Sequence, residues 1–255
     1  MTVIDQYLAE IQTRIDHVAS GECRQAIDAA ARACADSITD DKLVFSFGTG
    51  HGSFAALEMF PRTGTCAGFR PIVESPIGMF HHVFGDQGSH QYRFLHTREG
   101  YGNAILRAHR LLAGDTMVLF SHSGINAVIL DIAVECKERG LTVIGVTSIP
   151  HSSQVTSRHS SGKRLYEIAD VVIDTGVPLA DAGLRIEGLE HPLGPTSTVV
   201  ASAVAHAIVA GTVEEIVRRG HEPFVMVNPN TAGREAANEQ NDRNYEELWR
   251  LLSSR

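Results

Sequence analysis

Apolar runs of strand length alternate with helical runs through most of the 255-residue chain. Unbroken apolar runs are typical of strands that are buried on both faces. Five segments predict strands: KLVFSF, FRPIVES, TMVLF, LTVIGVTS and DVVID. Three segments between them predict helices: FAALEMF, REGYGNAILRAHRLL and NAVILDIAVECKERG. This alternation predicts right-handed crossovers and a parallel sheet covered by helices on both faces.

Helical spacing also marks the two ends of the chain. Apolar residues recur at this spacing over residues 3–18 and 26–34, which predicts two helices before the first strand. TSTVVASAVAHAIVAGTVEEIVRR predicts a long helix of small residues, and NYEELWRLL predicts a helix in the polar tail. In residues 76–96 glycines interrupt any periodicity, so we expect a long functional or interface loop there.

The composition of the chain argues against several kinds of partner and location. Acidic residues outnumber basic residues 30 to 22, and no basic stripe is present, so we expect no nucleic-acid partner and no anionic membrane partner. Four cysteines without a C-x-x-C pair suit buried thiols in a reducing compartment. The N-terminal pattern carries acidic residues and lacks a signal-peptide core, and no apolar run approaches the roughly 18 residues of a membrane span. We therefore predict a soluble, cytoplasmic protein.

Polar residues end the apolar run of VLFSHSGINA just where a helical pattern begins. In an open α/β sheet, ligands lie beyond the carboxyl ends of the strands, where the next helix starts. Ser121, Ser123 and Asn126 offer hydroxyl and amide groups, and Gly124 lets the backbone approach a ligand. With the free N–H groups of the helix start, these residues predict a phosphate site. Simple helix capping by Ser123 or Asn126 explains the same stretch equally well.

The first strand ends in a similar way, which favours the phosphate hypothesis. GTGHGS places Gly48, Gly50, His51 and Ser53 between a strand and a helix. Two such junctions on one parallel sheet suggest a single polar ligand between them.

Nucleotide fingerprints fit this first loop poorly. Gly48 and Gly50 match the start of G-x-G-x-x-G, but the third glycine is replaced by Ser53. Glu74, at the end of the next predicted strand, could imitate the acid that binds a ribose, so a dinucleotide site stays open as an alternative. A Walker A loop is excluded, because Ser157 and Arg164 occupy positions that need glycine and Ser/Thr.

The stretch DTMVLFSHSGINAVILDIAVECKERGLTVIGVTS resembles the second phosphate-binding segment of the sugar isomerase (SIS) domain family, and ADVVIDTG resembles that family's next strand. The resemblance covers about residues 42–215. It implies a phosphosugar ligand on an α/β, flavodoxin-like three-layer sandwich with a mainly parallel five-stranded sheet. The terminal helices resemble additions found in phosphoheptose isomerase-like members. TSRHSSGKRL and EIADVVIDTGVPLADA resemble a small, uncharacterised bacterial group of that kind.

The chain departs from the family at the first loop. The family has Ser directly after G-x-G-x, whereas this chain has Gly52 there, followed by Ser53. Ser53 is the candidate to replace that serine at the phosphate.

Aldose–ketose isomerisation, the commonest chemistry of the family, needs a base beside a carbonyl and an acid for the enediolate oxygen. The resemblance makes Glu58 the first candidate for the base, since phosphoheptose isomerase-like members place a functional Glu in the corresponding helix. Glu99 lies where the related muramic-acid-phosphate etherases use a Glu. In the alternative interpretation neither glutamate is catalytic. Glu58 would then be an exposed carboxylate on a helix, and Glu99 would interact with the dipole at a helix start.

Histidines supply further candidates, since the chain contains 13 of them. His51, inside the first loop, is a catalytic candidate, although a loop histidine can simply bond to backbone. Glu187 and His191 are weaker candidates from the segment after the last strand. Phosphoheptose isomerase-like members use zinc, which makes a metal site conceivable in the dense group His81, His82, Asp86, His90 and His96. Its spacing matches no compact ligand motif, so we predict no metal and no cofactor.

Residues 157–164, SRHSSGKR, form a basic insertion in an otherwise acidic chain. The insertion could close on the substrate phosphate or reach a neighbouring subunit. A solvated helix start capped by a serine is an equally good interpretation.

These observations predict three parts: N-terminal helices (1–41), a phosphosugar-binding SIS domain (42–220), and a C-terminal tail and helix (221–255) that packs in an oligomer. The predicted activity is aldose–ketose isomerisation of a sugar phosphate through an enediolate. The alternatives are a non-catalytic phosphosugar sensor and a sugar-phosphate lyase or etherase. The predicted partners are a phosphorylated sugar and further copies of the chain, as a homodimer or homotetramer.

Overall fold

Five parallel strands form one sheet in the computed structural model, which describes residues 2–79 and 85–255. The strands are β1 (Val44–Gly48), β2 (Phe69–Pro71), β3 (Thr116–Phe120), β4 (Thr142–Thr147) and β5 (Val171–Asp174). Their order is β2-β1-β3-β4-β5, and every neighbouring pair is parallel. The predicted three-layer α/β fold is confirmed.

Helices cover both faces of this sheet. In chain order they are α1 (Val3–Val18), α2 (Gly21–Thr39), α3 (Gly52–Glu58), α4 (Ser75–Gly78), α5 (Gly88–Leu95), α6 (Tyr101–Leu106), α7 (Ala127–Glu138), α8 (Ile149–Ser152), α9 (Ser197–Arg218), α10 (Pro229–Ala232) and α11 (Arg234–Ser253). Helices α2, α3 and α9 pack together on one face, while α6 and α7 pack together on the other.

Side chains of each strand alternate between the two faces, as the pleat requires. Val44 and Val118 enter the core with α2 and α9, whereas Phe45 and Met117 enter the core with α7. Both faces are fully buried, which explains why the strand segments are continuous apolar runs rather than alternating ones.

The strand order indicates where on the sheet a ligand would bind. From β1 the chain goes first to β2 on one side and later to β3 on the other, so the helices after β1 and β3 lie on opposite faces of the sheet. The carboxyl ends of β1 and β3 therefore flank a crevice, the switch point where ligands of this topology bind.

The predicted long loop at residues 76–96 is wrong in part. Residues up to Gly78 belong to α4, a 3₁₀ turn covers Gly85–Gln87, and Gly88 is the first residue of α5. These glycines lie at helix ends rather than inside helices, where their flexibility costs little. Residues 80–84 lie outside the described residues.

Some element lengths also differ from expectation. Helix α6 and strand β2 are shorter than their apolar patterns, and α11 is longer than NYEELWRLL. Residues 157–164 form turns rather than a helix start. All four cysteines are free and buried, as expected.

Helix α9 is, among the described residues, long and apolar enough to cross a membrane, with a mean hydropathy of 1.5. In this fold it packs against α2 and α3, and Val200, Val204 and Ile208 on that side are fully buried. It therefore serves as a core helix of the sandwich.

Candidate functional site

A cavity of about 340 Å³ lies at the carboxyl ends of the central strands. Its walls come from the segments that follow β1, β3, β4 and β5 and from the start of α9. The lining residues are Thr49, His51, Gly52, Tyr92, Phe120, Ser121, His122, Ser123, Asn126, Val146, His151, Thr175, Asp181, Pro195, Ser197, Thr198 and Ala201. The cavity thus occupies the crevice that the strand order predicts.

The loop between β3 and α7, residues 121–127, presents a row of free backbone donors. Ser121 Oγ accepts a hydrogen bond from Gly124 N at 3.1 Å, which folds the loop back on itself. Within the described ranges, the amides of Ser123, Ile125, Asn126 and Ala127 have no hydrogen-bond partner. Unpaired amides at a helix N-terminus form a binding site for an anion such as phosphate.

Asn126 is oriented by an arginine from the 157–164 segment. Arg158 Nη1 donates to Asn126 Oδ1 at 2.9 Å, which leaves Asn126 Nδ2 as a donor toward the cavity. The backbone of the segment is also attached to the loop, because Arg158 N donates to Ile125 O at 2.9 Å. The basic insertion therefore lies behind the loop and adds one positive charge near it.

Two glycines are required by the close packing of this site. Gly124 has φ +60°, and a Cβ there would lie 2.8 Å from Thr147 Oγ1. A Cβ on Gly52 would lie 2.5 Å from Phe120 O, so only glycine lets α3 approach β3 this closely.

Comparison with known families assigns this domain. The profile of the SIS domain family matches residues 6–148, which include the strands β1 to β4 and all of loop 121–127. The chain belongs to the SIS domain family. This confirms the resemblance that the sequence motifs indicated.

Relatives of the SIS-domain chain match it almost from end to end. A UPF0309 protein of Shouchella clausii is 34% identical over 239 residues, which cover 94% of this chain and 95% of the relative. A UPF0309 protein of Oceanobacillus iheyensis is 34% identical over 247 residues, which cover 97% and 98%. The SIS-domain chain is therefore a member of the UPF0309 group.

Solved structures share the fold at low sequence identity. Phosphoheptose isomerase GmhA of Neisseria gonorrhoeae superposes with a TM-score of 0.52 at 16% identity, over 83% of this chain and 97% of that protein. A phosphoheptose isomerase of Francisella tularensis gives a TM-score of 0.50 at 14% identity, over 84% and 100%. These likenesses concern the SIS fold.

The first loop of the SIS domain contributes His51 to the cavity wall. Gly48 ends β1, and Gly50 N donates to Ile77 O at 2.7 Å. Ser53 lies under the loop and outside the cavity lining, where its Oγ bonds to Gly50 O at 2.7 Å and Gly78 O at 2.9 Å. In this arrangement Ser53 fixes the loop to α4.

Glu58 lies at the end of α3, away from the cavity lining. Its Oε2 is 2.7 Å from Arg62 Nη1 and 3.1 Å from His206 Nε2 of α9, and its side chain is 34% exposed. Ala201, the last cavity-lining residue of α9, is five residues before His206, so this ion-paired cluster lies about 7.5 Å along the helix from the cavity wall. Sequence reasoning had not singled out His206.

Glu99 also lies outside the cavity lining. Its carboxylate accepts hydrogen bonds from Ser160 N at 2.6 Å and Ser160 Oγ at 2.7 Å, and these bonds lower its pKa. Glu99 thereby holds the 157–164 segment in place over the start of α7.

Other candidates from the sequence lie elsewhere on the SIS domain. Glu74 accepts a hydrogen bond from Tyr101 Oη at 2.6 Å, and Glu187 and His191 are exposed outside the cavity. His81 and His82 lie outside the described residues. The ring of His96 stacks on Tyr92 with centroids 4.4 Å apart.

Two histidines in the cavity wall were missed as site residues. His122 lies between Ser121 and Ser123, and its ring centroid is 4.4 Å from that of His151, which belongs to α8. Burial lowers the pKa of His122 to about 4, and burial also lowers the pKa of His151. The sequence signal that could have identified His122 was its position inside the SHSG motif. No sequence signal marked His151 as a site residue.

Proposed function

We propose that this SIS domain binds a sugar phosphate in the cavity and interconverts its aldose and ketose forms through an enediolate. The observation that carries the proposal is the row of unpaired amides of Ser123, Ile125, Asn126 and Ala127, which borders a cavity lined by hydroxyl groups and imidazoles. The amides suit the phosphate, and the remaining walls suit a polyol with a carbonyl group.

Phosphate binding here depends on dipoles rather than on opposite charge. No lysine or arginine lines the cavity among the described residues, and the whole chain carries a net charge of −8. Free amides, the Ser123 hydroxyl and the positive end of α7 converge where a dianion is stabilised by partial charges. Arg158 adds its charge from behind Asn126.

The rest of the cavity supports a sugar as the remainder of the ligand. Thr49, Thr175, Ser197 and Thr198 place hydroxyl groups around it, and its volume lies in the range of small-molecule sites. The fold is shared with proteins that are phosphoheptose isomerases, which supports an isomerase rather than a kinase or a dehydrogenase.

A phosphosugar sensor is the second candidate, and one observation favours it. Glu58 and Glu99, the carboxylates expected to act as the base, both lie outside the cavity lining. Asp181 is the carboxylate that lines the cavity among the described residues, and both of its oxygens accept hydrogen bonds from the start of α9. A sensor needs no base, so it is consistent with this arrangement.

Proton NMR in deuterated water separates the two candidates. The protein is incubated with hexose, heptose, pentose and amino-sugar phosphates, and loss of the C2 proton is followed together with product signals. An isomerase replaces that proton by deuterium and forms a new ketose or aldose. Ligand-induced thermal stabilisation without exchange indicates the sensor, and release of a leaving group indicates a lyase.

A matched pair of double variants locates the site. Ser121→Ala with Ser123→Ala should abolish both ligand stabilisation and exchange, because it removes the hydroxyls of the phosphate loop. Ser153→Ala with Ser253→Ala removes two exposed hydroxyls outside the cavity and should behave as wild type. Unchanged affinity of the first variant contradicts the assignment of the phosphate loop.

A further inference from the structure

A second cavity lies at the amino end of the sheet, on the face that α6 and α7 cover. Its volume is about 280 Å³, and its lining residues are Phe45, Arg70, Ala108, His109, Arg110, Leu252 and Arg255. Among the described residues no acidic side chain lines it, although the whole chain carries a net charge of −8. Strand β3 lies between Asp115 and Ser121, which puts this cavity about 20 Å from the loop at residues 121–127.

The fold of the edge strand β2 places Arg70 at this cavity. Arg70 is the middle residue of β2 and pairs with Phe45 of β1 in the parallel ladder. Phe69, the residue before it, is buried in the core with α2 and α9. Alternation along the strand therefore turns Arg70 toward the opposite face, where Phe45 is buried. The ring of Phe45 thus forms an apolar wall beside the Arg70 side chain.

Arg255 is neutralised by a partner within the protein. Its Nη1 and Nη2 lie 2.8 and 2.7 Å from the two carboxylate oxygens of Asp115, and its side chain is 2% exposed. Asp115 also accepts hydrogen bonds from Leu43 N and Leu112 N, so the roughly four lone-pair positions of its carboxylate are filled. This pair therefore builds a wall of the cavity and leaves no acceptor for a second arginine.

Arg70 and Arg110, by contrast, have no counter-charge. In the part of the chain that the structure describes, neither guanidinium makes a hydrogen bond or an ion pair, and this includes the main-chain carboxylate at Arg255. Arg110 is exposed, and Arg70 is half-buried with nitrogens that water can reach. Burial lowers the pKa of Arg70, and the nearby charge of Arg255 acts in the same direction. A charge held partly out of water without a partner is unfavourable, and an anion would compensate it.

His109 adds a hydrogen-bonding group beside Arg70. Its ring lies edge-on to Phe45, with centroids 6.5 Å apart. Within residues 2–79 and 85–255 its ring nitrogens have no hydrogen-bond partner, and water can reach them. Burial lowers the pKa of His109, the charge of Arg70 acts in the same direction, and Glu74, outside the cavity lining, opposes both. The neutral ring offers one N–H donor.

We propose that this cavity is a second anion site, which binds the phosphate group of a small ligand. Two uncompensated guanidiniums match the double negative charge of a phosphate monoester, and the planar fork of Arg70 suits two of its oxygens. Phe45 and Leu252 suit an apolar part of the same ligand. The site goes beyond the proposed function, since it lies at the other end of the sheet and shares no lining residue with the first cavity.

The test follows the ring signal of His109 by NMR in protein labelled with ¹⁵N-histidine. A local signal is needed because inorganic phosphate, the probe, should also bind at residues 121–127. The signal of His109 is the one that His109→Gln lacks. At constant pH, phosphate should shift it with a Kd of about 1–10 mM. The same shift and Kd should persist in the variant with Ser121→Ala and Ser123→Ala, which disrupts the loop.

Arg70→Met removes the guanidinium and keeps a side chain that fits beside Phe45. We expect the Kd for phosphate to rise at least about tenfold, because charge-assisted hydrogen bonds are lost. Arg243→Met removes the same charge from an exposed position of α11 outside the cavity, and it should keep the Kd within about twofold of wild type. Added sodium chloride should weaken binding in wild type, since salt screens the attraction between the charges.

Three results would overturn the proposal. They are an unshifted His109 signal at about 50 mM phosphate, wild-type affinity in Arg70→Met, and loss of the shift in the loop variant, which would show that the signal reports phosphate at residues 121–127. None of them bears on the proposed function, which C2 exchange tests separately. Should Arg70→Met not fold, Arg110→Met at its exposed position must raise the Kd at least about threefold, and an unchanged Kd overturns the proposal.

Discussion

Replacement of His122 should make the stability of the protein less sensitive to acid. The pKa of this ring is about 4 in the folded protein and 6.5 for an ordinary imidazole, and the main cause is burial, with His151 acting in the same direction and Asp181 against it. The unfolded chain therefore binds the proton first as the pH falls. Stability from the neutral ring is fully present above about pH 6.5 and is lost between there and pH 4.

The size of this effect follows from the shift of about 2.5 pKa units, since one unit corresponds to 1.36 kcal/mol. Between pH 7 and pH 4 the wild type should lose about 3 kcal/mol more unfolding free energy than His122→Asn. The difference between the two proteins isolates His122, because all other titrating groups are common to both.

Urea unfolding at several pH values in acetate and MES buffers measures this difference. Phosphate buffer is avoided, because an anion on the loop would raise the pKa of His122. Parallel stability curves for the two proteins, within about 0.5 kcal/mol from pH 7 to pH 4, would show that the ring is not held neutral by burial. The picture of an unpaired neutral imidazole in the cavity wall would then be wrong.

Three substitutions test other parts of the structure. Gly124→Ala should lower the unfolding free energy by at least about 1–2 kcal/mol and weaken ligand stabilisation, because its φ is +60° and its Cβ would lie 2.8 Å from a β4 hydroxyl; an unchanged Tm contradicts this. Asp115→Ala should lower the unfolding free energy measured in urea by about 3–5 kcal/mol, because it leaves the buried Arg255 without the carboxylate that lies 2.7 Å away. A loss below about 1 kcal/mol would refute this prediction. Arg158→Met should weaken sugar-phosphate binding about tenfold in calorimetry with little change in stability, because Asn126 loses its orienting donor; unchanged affinity argues against that role.

The fold was predictable because burial leaves a strong signal in the sequence. Strands covered on both faces must be continuously apolar, and TMVLF is strand β3 residue for residue. The boundaries of α6 and β2 were not predictable, since apolar residues continue in the sequence beyond the last residue of each element. Glycines at 78, 85 and 88 looked like interruptions because periodicity cannot distinguish a helix end from a loop.

The candidate site was only partly predictable. The SHSG loop was found because strand, polar residues and helix are adjacent in the chain. The contacts of Glu58 with His206 and of His122 with His151 join residues that are distant in sequence, and no local pattern records them. The domain boundaries, the cytoplasmic location and self-association as a homodimer or homotetramer stay predictions, and light scattering tests the last of them.

A crystal structure of the protein with the sugar phosphate that stabilises it most tests the central claim most directly. We predict the phosphate on the free amides of Ser123, Ile125, Asn126 and Ala127, with the Ser123 hydroxyl and Asn126 Nδ2 as further donors, and the sugar in the rest of the cavity. A phosphate bound elsewhere on the domain, with loop 121–127 empty, would contradict it.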